Sequence, residues 1–424
     1  MTVMATVAPV RATDRAGRLY LFGAIVQGLA VIAVQPFAIA LMDDAQWGRT
    51  VVGIGIVQIG GIVLVAALPQ VITRAWFDGN AGPHRARAIS GFLWIAGPAL
   101  TAVAVLALAA FPASDPTFLL ATAAIGAYGP VIGAQSLLRA QGRPVPHFVL
   151  TAGCSALAHA AGLGAAALAP TSLSYLTGFS ISNALTMLVA FRVARPALPW
   201  LAAGAVRAAL AAGVPLLPHT LALMLLIQGE PFLLKAVAGD APAGRYGAVL
   251  VFAVAVTVLL GALNNSWMTR IMSAGVLELP GAVRRVAAET GWAALLIVTG
   301  AVALSGPGSA LLSAGDAGLA GTAWILPLTG IGFGLYLLGS NLLFLTGRET
   351  LLSVVTPAVA IAAAGAAVLP AADGNLPGVA AVKAAAFLVL GASCLWLARG
   401  SLPQQPASGV DGVRRRRTHE LHEF

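Results

Sequence analysis

Twelve apolar runs of membrane-spanning length, separated by short polar breaks, leave this chain few ways to fold. The hydrocarbon of a bilayer offers no water to backbone N–H and C=O groups, so a run of about 20 predominantly apolar residues must close its own hydrogen bonds as an α-helix. The runs lie near residues 19–42, 50–73, 88–111, 117–138, 146–169 and 172–191, then 213–238, 246–269, 286–306, 319–345, 351–371 and 375–398. Composition points the same way: of 424 residues only 9% are charged, against about 25% in soluble domains. The expected fold class is an all-α polytopic membrane protein. Cys154 and Cys394 each fall inside an apolar run, which argues against a disulfide framework or a zinc site. The first run is too long for a signal peptide and has no small-residue cleavage site close behind it, so it is expected to stay as a helix.

Orientation follows from the basic residues. With the N-terminus in the cytoplasm, inner segments hold Arg11, Arg15 and Arg18, then Arg74, Arg85 and Arg87, and so on to Arg348, Arg399 and the run Arg414 to Arg417. That places twenty cations inside and leaves Arg49, Lys235, Arg245 and Lys383 outside. Both termini are therefore expected in the cytoplasm. Two lysines against twenty-two arginines, with abundant alanine and glycine, suggest a high-GC bacterial source and hence the inner membrane. Residues 1–18 read as a cytoplasmic N-terminal segment and 401–424 as a disordered basic tail held at anionic headgroups. In that tail His419, Glu420 and His422 miss the helical zinc-binding spacing. No outer loop has room for a soluble catalytic domain, and neither a cofactor nor a nucleic-acid partner is expected.

A phrase is written twice: "QPFAIALMDDAQWGR" from Gln35 and "EPFLLKAVAGDAPAGR" from Glu230. At a shift of 196, Asp44, Gly48 and Arg49 fall on Asp240, Gly244 and Arg245, and Thr73 and Arg74 on Thr269 and Arg270. At a shift of 205, Gly129 falls on Gly334, and Gly142 and Arg143 on Gly347 and Arg348. Matched charges carry weight here because charges are scarce. Six spans separate the copies, so both halves enter the membrane the same way, giving six-helix bundles at 19–195 and 196–400 as a parallel repeat. The local reading of the phrase is a turn, with Gly ending one helix and Asp starting the next.

With the phrase placed at the outer turn of each half, the chain resembles the polysaccharide-flippase branch of the multidrug/oligosaccharidyl-lipid/polysaccharide (MOP) exporter superfamily. The segments that carry this resemblance are "DDAQWGRTVVGIGIVQIGGIVLVAALPQVITRAW", "LLRAQGR" and "GVPLLPHTLALMLLIQGEPFLLKAVAGDAPAGRYGAVLVFAVAVTVLLGALNNSWMTR". The resemblance implies two bundles in a V around a central cavity. It also implies alternating-access transfer of a polyprenyl-diphosphate-linked oligosaccharide to the outer leaflet, with polysaccharide polymerase and glycosyltransferases as partners. Two departures bear on sister branches: the first helix carries Gln27 and Gln35 but no acid, unlike cation-coupled drug exporters, and the spans number twelve, fewer than in peptidoglycan-precursor flippases.

Arginine forks suit diphosphate oxygens, so Arg74 and Arg270, at equivalent inner helix ends, are candidates for the headgroup. Glu230 lies nine residues before Gly239, about 13 Å into the hydrocarbon at 1.5 Å per residue. An acid at that depth marks a cavity or an interhelical partner. Lys235, about 140° around the same helix, is not expected to pair with it and is a cavity candidate in its own right. Gln35 is the neutral repeat-mate of Glu230, and His219, Asn264 and Asn265 are further cavity candidates or helix-to-helix hydrogen bonders. Two alternatives stay open: a cation-coupled exporter of drugs or small molecules, and a membrane glycosyltransferase using Asp43 and Asp44 as base or metal ligands. The charge asymmetry makes a prediction: alkaline phosphatase fused after Arg348 or at the C-terminus will be inactive, and fused after Asp373 active. The opposite pattern would invert the topology.

Overall fold

The computed structural model describes residues 14–112, 114–273, 279–313 and 317–399. The basic tail and the segment before Asp14 lie outside the described residues. Fourteen helices account for nearly all of what is described: α1 Asp14–Leu41, α2 Asp44–Val65, α3 Leu68–Trp76, α4 Gly82–Ala109, α5 Pro116–Ala140, α6 Pro144–Leu168 and α7 Ser172–Ala194 in the first half. The second half holds α8 Pro199–Gln228, α9 Glu230–Ala238, α10 Asp240–Ser273, α11 Leu279–Ser313, α12 Gly318–Leu345, α13 Glu349–Ala372 and α14 Leu376–Arg399. Eleven of them are long and apolar enough to cross a bilayer, and α1 adds the shorter apolar stretch Ala30–Leu41. The protein is an all-α, multi-pass membrane protein.

Capping chemistry starts several of these helices. Asp43 accepts from Gln46 N at 2.7 Å, Asp115 from Thr117 N at 2.8 Å and Thr171 from Ser174 N at 3.2 Å, each satisfying a backbone donor that the first turn leaves free. Two expected spans are broken. Pro69 lacks the N–H that would continue α2, and the chain passes through left-handed Ala66 and Ala67 (φ 46 and 58) before α3 begins. Pro231 similarly separates α8 from α9. Pro36, Pro98 and Pro130 sit inside unbroken helices.

The repeat is visible in the packing. A Cβ on Gly48 would lie 1.9 Å from Asp240 O, and a Cβ on Gly244 would lie 1.9 Å from Asp44 O. The two copies of the phrase thus meet each other across a pseudo-twofold axis, with each glycine admitting the other copy's first-turn carbonyl. The turn reading of the phrase is half right. Asp does open its helix, but Gly48 and Gly244 end nothing: they lie within the first turns of α2 and α10, where the halves cross.

The second repeat has an equally local cause. Gly142 and Gly347 are left-handed (φ 65 and 68), and the following arginines donate backbone N–H to Leu138 O at 3.0 Å and Leu343 O at 2.9 Å, as in a Schellman helix end. Arg143 Nη1 then reaches Val193 O at 2.8 Å and Arg348 Nη1 reaches Leu397 O at 3.1 Å. In both halves the Gly-Arg pair ends the fourth crossing helix and straps it to the last turn of the sixth.

Because the glycine contact is with backbone, neither partner has a side chain to move aside. Gly48→Ala and Gly244→Ala are each expected to destabilise by about 1–3 kcal/mol or more. Gly164→Ala, where a Cβ meets nothing within 4 Å, serves as the neutral control in thermal unfolding of detergent-solubilised protein.

Candidate functional site

The break between α8 and α9 exposes carbonyls. Pro231 cannot donate to Ile227 O, and the ammonium of Lys383 fills the gap, donating to Ile227 O at 2.7 Å and to Leu226 O at 2.8 Å. The carboxylate of Glu230 completes the cage, with Oε1 and Oε2 at 2.9 and 2.8 Å from Lys383 Nζ. Four oxygens therefore surround one cation. Its side chain is 1% exposed and that of Glu230 11% exposed, so the pair is a buried one, neutral as a unit. Lys383 reaches it from α14, on a face otherwise made of Val379, Ala380, Ala384, Phe387 and Leu390.

A cavity of about 380 Å³ opens beside this pair, walled by Leu221 and Leu225 of α8, Ala360, Ile361 and Ala364 of α13 and Val382 of α14. Glu230 and Lys383 are the ionisable groups on its wall. The site is thus an apolar chamber with one zwitterionic locus. Lys383, which the charge count puts outside the membrane, is inside the bundle, where its ammonium is satisfied by the helix break and its methylene stem packs among apolar neighbours.

The remaining sequence candidates do not gather here. Lys235 turns to Asp240, which also accepts from Arg49 Nε at 2.9 Å, and Arg49 Nη1 lies 3.8 Å from Asp115. This network ties the two halves beside the glycine crossing and borders a second cavity of about 410 Å³. Gln35 donates to Gly247 O at 2.9 Å and Ala248 O at 3.0 Å, clamping α1 to α10. His219 bonds Thr356 Oγ1 at 2.8 Å and Tyr336 Oη at 3.1 Å, joining α8 to α13 and α12. Asn264 accepts from Asn341 Nδ2 at 2.7 Å. Hydrogen bonds of this kind between helices hold them together, and Gln35, His219 and Asn264 each make at least one.

Arg74 is exposed and borders a third cavity, of about 750 Å³, with Asp78 and Arg85. The side chains of Asn265 and Arg270 lie outside the described ones. Asp43 is engaged as the cap of α2, and Asp44 contributes its carbonyl to the Gly244 crossing. Among the described residues no group of three or more His, Cys, Asp or Glu is arranged to hold a metal.

No family model and no curated protein matches this chain. Solved structures do. A MATE in complex with MaL6 superimposes with a TM-score of 0.67 over 92% of this chain and 96% of that chain, at 13% identity. A multidrug resistance MATE family transporter of the MOP superfamily in its inward-facing conformation gives 0.63 over 92% and 94% at 13% identity. An outward-facing counterpart gives 0.63 over 92% and 95% at 14% identity. The fold is that of the MATE transporters. The expected two-bundle, twelve-span architecture is therefore correct. Two of these three structures are described as multidrug resistance transporters of the MOP superfamily, and none of the three as a polysaccharide flippase.

Removing one partner from a buried ion pair strands the other charge. Glu230→Gln and Lys383→Met should each cost about 3–5 kcal/mol, and the double variant less than their sum. A double-mutant cycle on thermal unfolding in detergent checks this. Additive losses would mean that the two groups are not coupled.

Proposed function

We propose that this protein is an alternating-access exporter of small, apolar, cationic molecules, with Glu230 as the carboxylate that receives the cargo's charge. The observation that carries the reading is the Glu230–Lys383 pair set in the wall of an apolar chamber of about 380 Å³. That volume falls in the roughly 300–1,000 Å³ range of small-molecule sites, which pair mostly apolar walls with a few placed polar groups. When the chamber is empty, Lys383 occupies the carboxylate and prevents an uncompensated charge in the membrane. A cationic cargo takes its place on Glu230 as Lys383 gives up a proton to water, and the neutral amine keeps its hydrogen bonds to the carbonyls of Leu226 and Ile227. The crossing of α2 and α10 supplies a pivot between the halves, and the expected setting is the bacterial inner membrane with both termini cytoplasmic.

A second reading, transfer of a polyprenyl-diphosphate-linked oligosaccharide, is supported by the wider cavity beside Arg74 and Arg85. In that case a polymerase and glycosyltransferases would be its partners.

The two readings separate in one paired experiment. Proteoliposomes containing the protein should move ethidium, and Glu230→Gln should reduce the rate about tenfold or more, the equivalent of ~1.4 kcal/mol. Mass spectrometry of polyprenyl-diphosphate lipids from cells lacking the protein should show no change. Accumulation of complete lipid-linked oligosaccharide, with no ethidium flux in proteoliposomes, would establish the second reading instead.

A further inference from the structure

At the opposite end of the first half from Asp115, four arginines converge. Arg87 from the first turns of α4, Arg143 between α5 and α6, and Arg192 and Arg195 from the end of α7 line one cavity of about 450 Å³ together with Gln141. All four are exposed. No carboxylate lines the cavity, and among the described residues none forms an ion pair with any of the four.

The backbone under this basin is held in place. Arg195 adopts a left-handed conformation (φ 51), one that side-chain-bearing residues keep only where the surroundings over-determine it. Here Ala197 N donates to Arg87 O at 3.0 Å. Gly91 makes room for that strand of chain, since a Cβ there would lie 1.8 Å from Ala197 O. Arg143 is fixed by its bond to Val193 O at 2.8 Å, and Arg87 sits over the Trp76 ring at 5.8 Å.

Helix capping and topology account for part of this and leave a remainder. Arg348 caps the second half as Arg143 caps the first. At a shift of 205 Gln141 falls on Thr346, and at the shift of 204 that aligns Val193 with Leu397, Arg195 falls on Arg399 but Arg192 on Trp396. The repeat therefore accounts for Arg143 and Arg195 and leaves Arg192 without a counterpart. Guanidinium forks turned toward one cavity without a counter-charge are matched by phosphate oxygens, and basic pockets between spanning helices take phospholipid headgroups.

We propose that this basin is a binding site for a phosphate-bearing anion, distinct from the Glu230 chamber. A lipid headgroup with two phosphodiesters, as in cardiolipin, and a soluble phosphate share the required chemistry.

The test uses the full chain in nonionic detergent. Native mass spectrometry should show cardiolipin retained about tenfold over phosphatidylcholine by the wild type, with the preference falling toward one in Arg192→Gln/Arg195→Gln and partly kept in Arg192→Lys/Arg195→Lys. Arg87→Gln, reporting from another helix, should lose part of it. Arg284→Gln/Arg285→Gln, at the same end of the second half, should keep it all. Separate titrations with inorganic phosphate and pyrophosphate identify the source: stabilisation of the wild type alone by these salts assigns a soluble ligand, and lipid retention without it assigns a headgroup. Absence of both effects in the wild type, or equal retention by wild type and Arg192→Gln/Arg195→Gln, would overturn the site.

Discussion

The contact on which the rest of the structure depends is the reciprocal approach of two helix first turns at Gly48 and Gly244. In a bilayer the hydrophobic effect does little to press helices together, since lipid is as apolar as leucine, and close packing through small residues takes its place. Here two backbones come within carbonyl contact, and the surrounding groups exploit that proximity. Arg49, Lys235, Asp240 and Asp115 assemble an ionic cluster around the crossing, and Gln35 reaches across to the carbonyls of Gly247 and Ala248. The duplicated phrase is duplicated because each copy is the other's partner.

The second constraint is the cost of charge in hydrocarbon. Glu230 and Lys383 would each be expensive alone. Together with the carbonyl of Ile227 that Pro231 leaves without its helical donor, and that of Leu226, they place four oxygens around one ammonium. One proline thus does two things: it ends α8, and it frees one of the acceptors that make a buried lysine tolerable beside a buried acid. The adjoining chamber inherits its chemistry from that arrangement, apolar except at one locus.

Much of this was legible in the residues. Periodicity and the scarcity of charge located the crossings, and the matched Asp, Gly and Arg positions revealed the repeat. Depth alone marked Glu230 as needing a partner. The partner itself stayed hidden. Lys383 lies seven residues into its helix and reads in a linear charge count as a loop residue. The available signal was its place on the buried stripe Val379, Ala380, Lys383, Ala384, Phe387, a spacing of three and four that puts it on the inward face. Similarly, Gln35, His219 and Asn264 read as cavity candidates because polar residues inside spans look alike in a string, whether they face a cavity or a neighbouring helix.

What the sequence by itself determined is the helical class, the number of crossings, their parallel repeat and the caps, because each of these follows from local hydrogen-bond closure and from solvation along one helix at a time. What only the tertiary structure decided is pairing: Gly48 with Gly244, Glu230 with Lys383 across 153 positions, and four arginines from three separate stretches of chain around one basin. Those depend on how helices rotate and cross. Rotation is set by the sum of many weak contacts over whole helix faces, and no local stretch of sequence contains that sum.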